Sequence, residues 1–211
     1  PVHHEKRLSE HTGRVTGRDP ASHPEQARTE QARPEQSWQD LAEPWQAAFD
    51  QAWIAFSEGN LGIGAALVDP STGSIVARGH NRVNATAAEP GLLGGNFMAH
   101  AEMNTLAVMT SFKAVGLHLY STLQPCLMCA ATAVFMHVDS VFYAADDEFF
   151  SGLDDLWPQH PYSKRNQPTS HGPLAPPVST FARLLALTTQ AEEPESSVMK
   201  MAHRHTPGRA A

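Results

Sequence analysis

Apolar residues recur along this chain at two alternating spacings. Between Pro44 and Phe56, the residues Trp45, Ala48, Phe49, Ala52, Trp53 and Phe56 fall three or four apart, and Gly59 follows. That pattern predicts a helix over 44–56 with one apolar face. Residues 63–68 and 74–77 are short apolar runs joined by Asp69-Pro70-Ser71-Thr72-Gly73, whose Pro and Gly mark a tight turn, so a hairpin is predicted. After a loop over 83–97, helical spacing returns over 99–110 and a strand is predicted at 117–122. A further helix begins at Cys126 and runs through Ala130, Ala133, Val134 and Met136, with a strand at 140–144. Phe181, Leu184, Leu185 and Leu187 then give 179–188 a helical face that would dock on the sheet. Strands alternating with helices predict a layered α/β sandwich.

The two ends read differently. Residues 1–36 are rich in Glu, Gln, Arg, His and Pro, with an imperfect five-residue repeat at 25–28, 30–33 and 35–38. A segment so poor in large apolar residues cannot bury a core, so a disordered extension is expected there and again over 190–211, leaving a folded domain at 37–189.

Charge sharpens this division. Residues 1–36 carry six basic and six acidic side chains, so the whole net charge of −7 falls on the remainder, nine basic against sixteen acidic. A partner rich in phosphate would be repelled by such a surface, and nucleic acid is disfavoured on that ground. No apolar run approaches the roughly 18 residues of a membrane helix, and the first 36 residues hold no apolar stretch behind a basic start. With two cysteines three positions apart, better suited to a metal than to a disulfide, the expected setting is cytoplasmic, without a membrane.

Candidate chemistry gathers at two helix starts: His100-Ala101-Glu102, and Pro125-Cys126 with Cys129. One imidazole and two thiolates make three zinc ligands, and a catalytic zinc site keeps three protein ligands with a fourth position for water. The free N–H groups and positive dipole end of the second helix favour thiolates there. Two thiolates neutralise the dication, so the water is acidified less than in a three-histidine site and a separate base is useful. Glu102 is the candidate, taking the water's proton and delivering protons to the ring nitrogen and the departing amine. Residues two apart on a regular helix point about 200° apart. His100 and Glu102 therefore converge only if the motif lies in an irregular first turn.

His-Ala-Glu followed by Pro-Cys-Leu-Met-Cys, whose first cysteine lies 26 positions after the histidine, resembles the cytidine and deoxycytidylate deaminase superfamily, in the branch holding tRNA adenosine deaminases and bacterial guanine deaminases. The resemblance covers roughly 45–157 and includes Gly79-His80-Asn81-Arg82, Leu119-Tyr120-Ser121-Thr122-Leu123 and Val141-Phe142-Tyr143-Ala144. It implies a three-layer α/β/α sandwich around a central mixed sheet of about five strands, Zn2+ as cofactor, and a homodimer. It also implies substrate contacts at Asn81 and Ala101 and a counterpart in Asp147. From the residues alone, Asn81 could equally cap the hairpin end, and Asp147 reads better as a helix cap or a solvated acid. Three features depart from the branch: Gln124 stands where Glu is usual before Pro-Cys, the segment between Asn81 and His100 is long enough to form a lid or an altered pocket wall, and 158–177 is so rich in Pro, Ser, His and Asn that a fifth strand would be short or absent.

The function expected is zinc-dependent hydrolytic deamination of a free nucleobase or nucleoside, with a purine favoured by the branch and cytosine open. A tRNA adenosine-to-inosine deaminase and a non-catalytic zinc-stabilised interaction module are the alternatives.

Overall fold

The computed structural model describes residues 38–87, 89–110, 114–151 and 160–191, all within the unit Arg33–Ala211. The expected extension over 1–36 and the chain beyond Ala191 lie outside the described residues. After a 3-10 turn at Trp38–Asp40, the elements are α1 Glu43–Ser57, β1 Gly64–Val68, β2 Ile75–His80, α2 Ala101–Ala107, β3 His118–Leu123, α3 Leu127–Phe135, β4 Ser140–Ala145, α4 Pro161–Asn166, β5 Thr169–His171 and α5 Val178–Ala191.

The five strands form one sheet in the order β2-β1-β3-β4-β5. β1 runs antiparallel to both β2 and β3, whereas β3, β4 and β5 run parallel, so the sheet is mixed. Every residue of β1 is buried, as befits a strand covered on both faces. On one face, Trp45 and Phe49 of α1 and Val178 and Ala182 of α5 pack with Tyr120, Phe142, Ala144 and Ala145. Ala101 and Leu106 of α2 and Ala133 of α3 pack on the other with Leu67, Leu119 and Val141. This is the three-layer sandwich the resemblance implied. Burying a side chain such as Phe49, 2% exposed, contributes about 2–3 kcal/mol.

Two contacts position the site. Gly79 on β2 faces the start of α2 so closely that a Cβ there would lie 2.5 Å from Thr105 N and 2.7 Å from Ala101 O. Glycine thus lets the helix carrying Glu102 sit directly on the strand end carrying Asn81. Thr105 Oγ1 donates within α2 to Ala101 O at 2.8 Å and reaches the sheet at Ala65 O, 3.4 Å away. The fifth strand is present and only three residues long, between α4 and a Pro-rich turn, as its composition required. α5 continues through Ala191, past the expected domain end at 189.

Candidate metal centre

The first turns of α2 and α3 face each other across the C-terminal end of β3. His100 is the N-cap of α2, with extended backbone (φ −74°, ψ 157°), and Glu102 is the second helical residue. That break from helical geometry brings the imidazole and the carboxylate to one side, as the irregular first turn anticipated. Cys126 is likewise the N-cap of α3 (φ −67°, ψ 171°), one residue earlier than a helix beginning at Cys126 would place it, and Cys129 lies in the first turn. An N-cap side chain points towards the N–H groups of the first turn, which brings the two sulfurs together.

The three side chains meet. His100 Nδ1 lies 3.5 Å from Cys126 Sγ and 3.4 Å from Cys129 Sγ, and the sulfurs are 3.6 Å apart. Tetrahedral zinc at about 2.3 Å from sulfur and about 2.05 Å from nitrogen requires edges of about 3.8 Å between sulfurs and about 3.5 Å between sulfur and nitrogen. The donor triangle fits a zinc ion to within a few tenths of an ångström. Among the described residues, no other group of three His, Cys, Asp or Glu side chains is gathered closely enough to hold a metal. Cys129 is buried while His100 and Cys126 are partly open, so the centre has an inner wall and an accessible side.

The electrostatics of the metal-free protein follow from these distances. The Cys126 thiol drops to about 4, chiefly because the Cys129 S–H donates to its thiolate, with His100 assisting. Cys129 is pushed well up by that same bond and by burial. Burial acts to lower His100, but the hydrogen bond to Cys126 and the charges of Glu102, Cys126 and Asp147 outweigh it and raise its value. Glu102, 3% exposed, is raised by burial first and by the Cys126 thiolate second. Its Oε1 accepts a hydrogen bond from Ser121 Oγ at 3.0 Å, which opposes that rise. A carboxylate so placed holds its proton more readily than a solvated one and can return it, as a general acid–base requires.

Asn81 is fully buried; its backbone N–H donates to Ile63 O at 2.9 Å and its Oδ1 accepts the Val83 N–H at 3.2 Å. Its Nδ2 has no partner among the described residues. Oδ1 thus closes the turn, as the capping reading of Asn81 expects, while Nδ2 is left without a partner among the described residues. Ala101 is also fully buried, at the first position of α2, packed in the core beside the sheet. Asp147 does cap a turn, accepting the N–H groups of Phe149 and Phe150 at 2.9 and 3.1 Å. It is 7% exposed rather than solvated, and its carboxyl is raised mainly by burial and further by the Cys126 charge. Gln124 anchors this corner, donating its N–H to Ala145 O at 2.8 Å and accepting the Asp147 N–H at 3.3 Å. A neutral amide at 124 serves without adding a charge beside Asp147.

The contact of Ser121 with Glu102 was not legible in the sequence. The available signal was a hydroxyl within the strand run Leu119-Tyr120-Ser121-Thr122-Leu123, and a buried polar side chain is more informative than any exposed one. Asn104, also fully buried, was missed in the same way.

A family model described as the cytidine and deoxycytidylate deaminase zinc-binding region matches residues 39–145. The chain is 32% identical over 104 residues to a protein named tRNA-specific adenosine deaminase from Rickettsia felis, covering 47% of this chain and 67% of that one. A protein of the same name from Bacillus subtilis is 34% identical over 104 residues, covering 47% of this chain and 58% of its own length. The chain thus spans about two thirds or less of these relatives. A structure from work on A-to-I editing by tRNA deaminases at the wobble position superposes with TM-score 0.55 at 26% identity, over 66% of this chain and 97% of that one. Guanine deaminase from Nitrosomonas europaea shares the fold, with TM-score 0.53 at 18% identity over 70% of this chain and 83% of its own.

Proposed function

The chain belongs to the cytidine and deoxycytidylate deaminase family, and from that premise we propose that it is a zinc-dependent hydrolytic deaminase of an amino-bearing nucleobase. The observation that carries this reading is the donor triangle of His100, Cys126 and Cys129 beside buried Glu102. Zinc, when bound there, supplies Lewis-acid activation of water. Glu102 accepts the proton that water gives up and passes protons to the ring nitrogen and the departing amine. Ser121 keeps the carboxylate aimed and restrains its rise in pKa. The Nδ2 of Asn81 donates to an acceptor on the substrate, and Ala101, buried in the core between His100 and Glu102, seats the helix start that carries the carboxylate. In net terms a C–O bond replaces the exocyclic C–N bond, and ammonia leaves.

For the substrate, we favour a free base or nucleoside, supported by the concentration of the −7 charge after residue 36, with a purine favoured by the branch resemblance alone. The second reading, adenosine within tRNA, is favoured by the relatives named tRNA-specific adenosine deaminase, which lend no support to excluding a nucleic-acid partner. Ammonia release by the zinc-loaded protein, across guanine, guanosine, adenosine, cytosine, cytidine and a tRNA anticodon stem-loop, separates the two. Turnover of a free base or nucleoside supports the first reading, turnover of the stem-loop alone supports the second, and silence throughout sinks the deaminase.

We also propose a homodimer, supported by the outward face of α3. The helix LMCAATAVF has no charged residue, and Leu127 and Phe135 are 45% and 63% exposed. Light scattering that returns the monomer mass at micromolar concentration would overturn it. No helix among the described residues is long and apolar enough to cross a membrane. A reducing, cytoplasmic setting remains part of the proposal, because both thiols are free and both are needed as ligands.

A further inference from the structure

Residues 83–87 and 89–98, in the long segment between Asn81 and His100, belong to a loop whose two ends are held together. The Arg82 N–H donates to Ala99 O at 2.8 Å, so the neck closes between the strand end bearing Asn81 and the first metal ligand. Returning chain is stitched to the same residue, since Gly95 and Ala85 N–H groups both donate to Arg82 O at 3.0 Å. The buried Arg82 guanidinium fills the loop from within, donating to Ala87 O at 3.1 Å and pairing with Glu89 at 2.5 Å. Such a compact loop packed by its own side chains is an Ω-loop.

One side chain ties this loop to the helix of the site. Asn104 Oδ1 accepts the Leu93 N–H at 2.7 Å, and its Nδ2 donates to Leu93 O at 3.3 Å and to His80 O at 3.0 Å. Its own backbone N–H donates to His100 O at 2.9 Å. Asn104 therefore joins three segments: the helix with Glu102, the peptide immediately before Asn81, and the loop at the site's border. We propose that Asn104 is a positioning residue, which sets Asn81 against Glu102 and holds residues 89–98 as a fixed wall of the substrate pocket rather than a moving lid. The inference rests on the deaminase reading.

Its effect acts through geometry. Displacing a substrate-holding group by about 1 Å can cost on the order of 100-fold in rate. In Asn104→Asp, Oδ1 still accepts from Leu93, but the two donations from Nδ2 are lost. With zinc content unchanged, kcat/KM on the substrate found by the panel should fall about 10- to 100-fold, chiefly as a rise in KM. Glu89→Ala, at a carboxylate 53% exposed, loosens the loop from its other side and should raise KM at least about threefold with kcat unchanged. Kinetic constants within twofold of the parent in both variants would overturn the proposal. If Asn104→Asp does not fold, Glu89→Ala alone decides, and an unchanged KM overturns the proposal. Hydrogen exchange separates this failure from that of the deaminase reading. The Leu93 amide should be protected in the parent and exposed in Asn104→Ala even if no substrate turns over, and equal exchange in the two would refute the tie.

Discussion

Removing the Ser121 hydroxyl isolates the environment of Glu102, the carboxylate proposed as general base. Ser121 is fully buried on β3, and its Oγ donates to Glu102 Oε1 at 3.0 Å. Hydrogen bonds to charged groups contribute about 1.5–3 kcal/mol. Glu102 must be ionised to accept a proton, and burial already raises its pKa, so losing a bond that favours the ionised form raises it further. The acid limb of the kcat/KM profile should therefore move to higher pH in Ser121→Ala. At a fixed pH on that limb, 1.5–3 kcal/mol corresponds to about a 10- to 150-fold loss. The assay is ammonia release by zinc-loaded parent and variant across the pH range, with zinc measured on each sample. An acid limb at the same pH in both proteins, with rates within twofold, would refute the reasoning.

Glu102→Gln should keep one zinc per chain and lose about 100- to 10,000-fold in turnover, read as ammonia release beside metal analysis. Its stability effect has a definite sign. A carboxyl whose folded pKa is raised favours folding below its ordinary value of 4.5, and that contribution is lost as pH rises through the raised value. The metal-free Gln variant should therefore match the parent in Tm at pH 4 and exceed it at pH 8 by thermal denaturation. Asn81→Asp keeps the acceptor for Val83 but removes the unpaired Nδ2 donor, so kcat/KM should fall about tenfold or more with zinc content unchanged. In metal-free protein, Cys126, lowered to about 4, should alkylate with iodoacetamide at a nearly constant rate between pH 8 and about 5, while Cys129, raised and buried, reacts far more slowly. Zinc should protect both, and peptide mapping by mass spectrometry reads the outcome.

The sandwich was legible because its cores are periodic. Trp45, Phe49 and Ala52 on α1 and the uninterrupted apolar run of β1 announce one helix face and one doubly covered strand. The candidate metal site was legible because His100 and Cys126 are N-cap positions and Cys129 follows three residues after the second, so local backbone geometry brings the side chains to one side of each helix start. Element ends were less so: the second helix stops at Ala107, where the apolar spacing ran on to Thr110. Ser121 and Asn104 were opaque because their contacts depend on a partner 19 residues away in one case and on two separate segments in the other. Nor does spacing reveal that Arg82 folds a loop around itself, since its partners follow no repeat.

X-ray absorption at the zinc edge of the loaded protein tests the central claim most directly. Two sulfur scatterers at about 2.3 Å and two light donors at about 2.0–2.1 Å are predicted, with the sulfur contribution falling to one in Cys129→Ala or the metal lost. A shell with no sulfur, or one unchanged by that substitution, would contradict it.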